Sequence, residues 1–288
     1  MVCHRVFIWK VPRNRDIRER QWFKLWVIEG DSIRRLCQLS GYGKNKLERI
    51  KDYWLTQMPP AQHTDWSLVK YVVYDATYFH KEGCLLNLMD ATTKHILAHC
   101  WVKKESFRES YPWFLSLRQQ GLEPLFITTD GEQSTLRAMR MVWPQAALQR
   151  CLYHIKHEGM RWLRTYPKTD AGKELRGLLS GLCGIKTTVQ KEKWTEAYRD
   201  WVSRYKDFVL SLPKSTIAYK DLKRTMNLIN HALPDMFRYL EDSRVQSTTN
   251  SLEGFHSQLK ADYQRHRGLN KEHRLQYFHW YCYYKNAG

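Results

Sequence analysis

Hydrophobic spacing gives the chain two different textures. Residues 21–29 (QWFKLWVIE) place apolar side chains at helical intervals, and Gly30 ends the run. The next stretch, DSIRRLCQLSGYGKNKLERIKDYWL, puts Ile33, Leu36 and Leu39 on one helical face behind Asp31 or Ser32 as the cap. It breaks at Gly41 and Gly43, then resumes from Lys44 to Leu55 with Leu47, Ile50 and Trp54 inward. Lys44, Lys46, Arg49 and Lys51 are left on the outer face. A short helix, a glycine turn and a basic second helix match a helix-turn-helix that reads DNA. An ordinary helical hairpin fits the spacing as well, and only the basic face favours DNA. MPPAQHTDWS (residues 58–67) has the proline and polar content of a linker, so residues 1–61 are read as an N-terminal arm and helix-turn-helix domain.

Beyond the linker the pattern changes from helices to short β-rich runs. LVKYVVYDATYF, CLLNLMDATTKH and ILAHCWV read as three antiparallel strands. Residues 106–120 read as a helix with Pro112 in its first turn, LFITT as a fourth strand, residues 133–142 as a helix and AALQR as a fifth strand. Three strands, helix, strand, helix, strand is the order of a ribonuclease H-like α/β core, a mixed five-stranded sheet with helices. Residues 152 to about 246 read as helix or loop, with basic amphipathic segments such as KEKWTEAYRDWVSRYKDFVLSL. The expected divisions are therefore 62–153 for the first part of the core, 154–246 for an all-α insertion, and 247–288 for a further helix and a C-terminal helical region. There is no internal repeat.

Charge narrows the partner. Lys and Arg number 47 against 29 Asp and Glu, for a net charge of +18 over 288 residues. A polyanion is the natural partner. No apolar run of about 18 residues is present to cross a bilayer, and the cations are spread along the chain, so nucleic acid is favoured over a membrane. The 7 cysteines are odd in number and scattered, which fits a reducing compartment. MVCHRVFIWKVPRNR lacks the form of a signal peptide, and a cytoplasmic location is expected.

Three acids stand out against this basic background. Asp75 lies in or just after the first strand, and Asp130 follows the fourth in LFITTDGEQS. Acidic residues at strand exits are commonly turn formers, and Gly131 would serve the same turn. In the expected fold, however, the first and fourth strands are neighbours, so the two carboxylates converge. Paired carboxylates repel unless a cation lies between them, and hard oxygen donors suit Mg²⁺, with Mn²⁺ as an alternative. A third ligand is available in QSTTNSLEGFHSQLK, where Glu253 follows Asn250 by three residues at a helix start. Its simpler reading is a capping box with Asn250.

With these residues in view, the segment from YDATYF to QRCLYH resembles the catalytic core of Mutator-like bacterial insertion-sequence transposases. Its parts are the D-A-T-Y-F strand, a Glu-Ser helix carrying Trp113, Phe114 and Leu115, the T-D-G turn, and P-x-A-x-x-x-R-C-x-x-H. The distant T-T-N-x-x-E segment, Thr248 to Glu253, completes the order. The resemblance covers about residues 70–158 and 245–270. It implies an Asp-Asp-Glu nuclease with Asp75, Asp130 and Glu253 as catalytic residues and metal ligands. Two Mg²⁺ ions per site are implied, Asp75 bridging both. The implied reaction is nicking at transposon ends, followed by attack of the freed 3′-hydroxyl on target DNA.

The implied partners are double-stranded DNA (terminal inverted repeats and target) and further copies of the chain, as a homodimer or larger assembly. The implied setting is prokaryotic and nucleoid-associated. Cys151 and His154 match the C-x-x-H element, with His157 one turn on. Without a second ligand pair of finger-like spacing they read, together with Asn250, as active-site support rather than a structural zinc site. MVCHRVFIW resembles the tail of a zinc ribbon with only Cys3 present.

Arg265, His266 and Arg267 follow the Glu253 helix and are candidate phosphate contacts, with a solvated basic loop as the alternative. Trp194 and Trp201, seven apart, and the aromatic RLQYFHWYCYYKN stripe read as core. Two rival functions remain open: a catalytically inactive or domesticated relative acting as a DNA-binding regulator, and another ribonuclease H-like nuclease.

Overall fold

The structure is a computed structural model that describes residues 12–62, 64–80, 82–266 and 268–287. In chain order the elements are α1 (Pro12–Ile28), α2 (Ile33–Ser40), α3 (Lys44–Trp54), β1 (Tyr71–Phe79), β2 (Gly83–Asp90), β3 (Ile96–Val102), α4 (Phe107–Gln119), β4 (Phe126–Thr129), α5 (Gln133–Val142) and β5 (Ala147–Arg150). They continue with α6 (Leu152–Leu163), α7 (Asp170–Gly181), α8 (Thr188–Ser211), α9 (Ile217–Ala232), α10 (Asn250–Gln264) and α11 (Lys271–Asn286). The chain forms two compact units, one of residues 1–63 with 255–288 and one of residues 64–254, the division falling inside α10.

In the larger unit the strand order is β3-β2-β1-β4-β5, with β1–β2 and β2–β3 antiparallel and β4 parallel to both β1 and β5. This is the ribonuclease H-like arrangement, with helices beside the sheet and an α-helical insertion after β5. β1 and β2 are central and mostly buried on both faces, which is why their sequences are near-continuous apolar runs rather than alternating ones. Phe114 and Leu117 of α4, and Leu136 and Met139 of α5, pack on Tyr74, Leu86, Leu88 and Ile127 of the sheet.

Pro112 lies inside α4 rather than in its first turn as expected. The amide it lacks would have donated to the Arg108 carbonyl. That costs one bond near the helix start, while Ser110, Phe114 and Leu117 keep the helix buried on the sheet.

The insertion has its own apolar core. Leu175, Leu179, Trp201, Leu222 and Ile229 are fully or nearly fully buried, and α8 starts with a capping box between Thr187 and Gln190. Trp194 and Trp201 are core residues whose indole N–H groups donate to the Leu178 and Ala171 carbonyls, at 2.9 Å each. Gln149 in β5 ties the insertion to the sheet: its amide donates to the Met236 carbonyl at 3.0 Å and its oxygen accepts from the Tyr239 amide at 3.0 Å.

The smaller unit is helical. α1 reaches back to Pro12, the first described residue, earlier than the periodicity indicated. Ser32 rather than Asp31 caps α2, accepting from the Arg35 amide at 3.2 Å, and Gly41 closes it in the left-handed conformation (φ 69°). Phe23, Val27, Leu36, Leu47, Tyr277 and Trp280 form the core, so the C-terminal aromatic stripe is packing. Two expectations fail here. Leu39 is 46% exposed, because the eight-residue α2 turns only Leu36 inward, and Trp54 at the end of α3 is half-buried. Cys3 lies outside the described residues.

Among the described residues no helix is long and apolar enough to cross a membrane.

Trp201→Ala should destabilise the protein by about 3–5 kcal/mol, since it removes a fully buried indole and its hydrogen bond to the Ala171 carbonyl. Urea unfolding monitored by circular dichroism measures the change.

Candidate active site

The site is set by strand register. β1 pairs with β4 as Tyr71↔Phe126, Val72↔Ile127 and Val73↔Thr128, and two further steps bring Asp75 level with Asp130. β4 pairs with β5 up to Thr129↔Arg150, and the Cys151 amide donates to the Thr129 carbonyl at 2.8 Å, which places Cys151 at the next level. Three strands thus deliver Asp75, Asp130 and Cys151 side by side, from the middle of β1 and from just beyond the carboxyl ends of β4 and β5. That is where parallel sheets place ligand sites.

Asp130 closes β4 and accepts from the Glu132 amide at 3.2 Å. Gly131 follows with φ 97°, and a Cβ there would lie 1.8 Å from Nε of Arg150. Glycine is required twice over, by the backbone conformation and by the guanidinium packed against it. The buried Arg150 donates through Nη2 to the Asp130 carbonyl at 3.3 Å. Burial lowers the pKa of this arginine, an effect opposed by the charges of Asp130 and Asp235.

Burial and the adjacent Asp75 charge raise the pKa of Asp130, against opposing hydrogen bonds and the charge of His154. The two carboxylates therefore sense each other, the state in which a cation between them is favoured.

Glu253 arrives from the start of α10. The Leu252 and Glu253 amides donate to the Thr249 carbonyl at 2.9 and 3.0 Å, so Thr249 precedes the helix and Asn250 is its first residue. The expected Asn250–Glu253 capping box is therefore not formed. Asn250 is exposed, whereas Thr249 is buried. The Thr249 hydroxyl lies 3.0 Å from Glu253 Oε1 and 3.5 Å from Cys151 Sγ. With one proton to give, it donates to the carboxylate, the nearer and stronger acceptor. The Thr249 amide donates to Cys151 Sγ at 3.3 Å.

His154 Nδ1 lies 3.6 Å from Glu253 Oε1. Donor atoms of Cys151, His154 and Glu253 all lie within 4.8 Å of one another, a set able to hold a metal ion. Burial disfavours the His154 imidazolium, but a hydrogen bond to Cys151 and the negative charges of Cys151, Asp130 and Asp75 outweigh it and raise the pKa to about 9. His154 thus stands beside Glu253 and also feels the charges of Asp130 and Asp75.

Glu105, between β3 and α4, was missed by sequence reasoning. It is buried and accepts from the Tyr74 hydroxyl at 2.9 Å and the Thr135 hydroxyl at 2.8 Å. Burial, then the charge of Asp130, raise its pKa to about 7. In the sequence it reads as one more charge in a polar KKES loop, and nothing there distinguishes it.

The other candidates lie in the smaller unit. Lys44 and Arg49 are exposed on α3. Lys46 sits 3.3 Å over the Tyr42 ring, and Lys51 pairs with Asp52 at 3.1 Å. Arg265 donates to the Glu29 carbonyl at 2.8 Å. His266 is buried against Trp26, its Nε2 2.8 Å from the Trp26 carbonyl, and burial lowers its pKa to about 4. It is a buried residue of the smaller unit rather than part of a solvated loop. Arg267 lies outside the described residues.

The ribonuclease H-like sheet thus carries one acid in the middle of β1 and another just after β4. Residues 71–158 match the family model of the MULE transposase domain. The chain thus carries a transposase-superfamily domain, and DNA is the partner such a domain implies. No curated protein matches the sequence. Among solved structures, a chain of the simian T-cell lymphotropic virus intasome in complex with PP2A regulatory subunit B56 gamma is similar at 15% identity, covering 73% of this chain and 68% of that one, with a TM-score of 0.24. A score that low carries no argument.

Gly131→Ala should cost about 2–3 kcal/mol through its positive φ and the displaced Arg150, read as a lower urea midpoint. In the metal-free protein the His154 ring should titrate near pH 9 by NMR, and Asp130→Asn should bring that value down. Because the folded pKa is the higher one, the His154 contribution to stability is complete below about pH 6.5. It is lost as pH rises through about 9.

Proposed function

We propose that this protein is a DNA transposase of the Mutator-like insertion-sequence type, which binds transposon ends and catalyses metal-dependent strand cleavage and strand transfer. The observation that carries this reading is the shared level of Asp75 and Asp130 on adjacent parallel strands, inside the segment that matches a transposase domain. Glu253 is held by Thr249 and lies beside His154, which feels the charges of that pair.

The donor chemistry fits a hard divalent cation. Asp75 and Asp130 present carboxylate oxygens whose mutual repulsion a cation relieves, and Glu253 adds a third. Asp75, Asp130 and Glu253 would hold Mg²⁺ or Mn²⁺, which when bound supplies Lewis acidity toward a phosphodiester. Thr249 orients the Glu253 carboxylate through its 3.0 Å hydrogen bond, and Arg150 and Gly131 fix the turn that aims Asp130. His154, protonated on both ring nitrogens below about pH 9, offsets the charge of the carboxylates. In the smaller unit, Lys44 and Arg49 on the exposed side of α3 would meet DNA phosphates, the role proposed for the helix-turn-helix.

The regulator reading has one observation in its favour. Cys151 and His154 are soft donors suited to zinc, and zinc held by them would recruit Glu253 away from a hard-ion site.

The test is Glu253→Gln, which keeps an oxygen able to accept from Thr249. The variant should retain the fold and bind inverted-repeat DNA as the wild type does. Its Mg²⁺-dependent nicking of end-containing DNA should fall at least about a hundredfold, a loss of roughly 3 kcal/mol in transition-state stabilisation. Undiminished cleavage would remove Glu253 from the reaction. Wild-type protein that binds the repeats and never cuts them would establish the regulator instead.

A further inference from the structure

α6 carries two chemistries. Its inner side, Leu152, Ile155, Gly159 and Leu163, packs into the insertion core, and a Cβ at Gly159 would meet Leu179 at 2.5 Å. Its outer side repeats at intervals of three and four residues through Tyr153, Lys156, Met160 and Arg164. With Arg161 and Arg176 these residues line an open groove of about 450 Å³. The lining contains four permanent cations and no carboxylate. A concavity lined by one sign of charge concentrates the opposite sign.

The cations are available to a ligand to different degrees. Lys156 makes no ion pair among the described residues. Arg161 pairs with Glu158 and Arg164 with Asp221 at 3.4 Å, but both arginine side chains are 62% exposed, so a phosphate can compete for them. Arg176 is pinned by a 2.9 Å bond to the Met160 carbonyl.

Arg164 also has φ 61° and ψ 174°, a conformation that belongs to glycine. The fold places a cation where glycine would hold the turn with less strain. At the other end, the Tyr153 ring lies on His157 at 17° and 5.7 Å and remains 42% exposed, forming an aromatic shelf one residue from His154.

We infer that this groove binds a single DNA strand beside the carboxylate cluster, with a base on Tyr153 and successive phosphates on Lys156, Arg161 and Arg164. A flat ring next to a row of cations is the arrangement that receives unpaired nucleotides, whereas the bases of a duplex are stacked on one another and cannot reach the ring. The twelve-residue helix offers a track of about 18 Å. The location of the groove ties the inference to the nuclease reading, but its binding can be measured without cleavage.

The experiment is fluorescence anisotropy of labelled oligothymidylate with the full chain in EDTA across a salt series. Tyr153→Ala should weaken binding by roughly tenfold with the salt slope unchanged. The double variant Lys156→Gln/Arg164→Gly keeps the α6 terminus in a conformation glycine favours. It should make the slope of log affinity against log salt shallower by about 1.4, two phosphate contacts at about 0.7 each. The control double variant Lys193→Gln/Lys206→Gln, on the exposed side of α8, should leave the slope unchanged. Equal slope changes in the two double variants, or no loss with Tyr153→Ala, would overturn the inference. Failure of the wild type to cut DNA would refute the nuclease reading and leave these metal-free binding constants as they are.

Discussion

The candidate site depends on the parallel register of β1, β4 and β5. Hydrogen bonding between parallel strands fixes which residues stand at the same level, and here that level is Asp75, Asp130 and Cys151. A one-residue slip of β4 would turn Asp130 to the other face of the sheet and separate it from Asp75. The register is protected because Ile127, Thr128 and Thr129 are all buried, and because the Thr128 hydroxyl donates to the Gln246 carbonyl at 2.9 Å. That last bond also holds the segment leading to Glu253, so one strand positions acids that are far apart in the chain.

Gathering negative charge in a half-buried place is unfavourable, and the surroundings show how it is tolerated. Asp130 and Glu105 both have raised pKa values, each through burial first and a neighbouring carboxylate second. His154 moves the opposite way, to about 9, because the same charges stabilise its imidazolium. Arg150 contributes a buried guanidinium behind the Asp130 turn. The shifts at this end of the sheet thus combine burial with the charges of neighbouring carboxylates, which a positive charge relieves. The matched transposase domain runs from the start of β1 into α6, so Asp75, Glu105, Asp130, Arg150 and His154 lie within it and Glu253 outside.

Much of the fold was legible because local pattern and tertiary burial agree. The β3 and α5 boundaries follow directly from alternation and helical spacing, and the five-strand order follows from the sequence of elements. The misses occur where a residue's environment comes from distant chain. His266 reads as part of a basic loop but is buried against Trp26, 240 residues away. Glu105 reads as a loop charge, yet two hydroxyls from β1 and α5 make it a buried acceptor. Pro112 is carried inside α4 because the helix is held by the sheet beneath it rather than by its own propensity.

The sequence alone determined a basic chain built for a polyanion, a mixed sheet followed by a helical insertion, and the identities of three acids worth considering together. Those properties are additive or local, carried by composition, by periods of 2 and 3.6, and by glycine at turns. The tertiary structure decided that Thr249 rather than Asn250 precedes the helix of Glu253, and that His154 stands beside Glu253 within the field of Asp75 and Asp130. It also decided that the outer side of α6 is a groove of cations beside an aromatic shelf. The physical reason is distance: hydrogen bonds and charge interactions act over a few ångströms, and only the folded chain brings residues a hundred positions apart within that range.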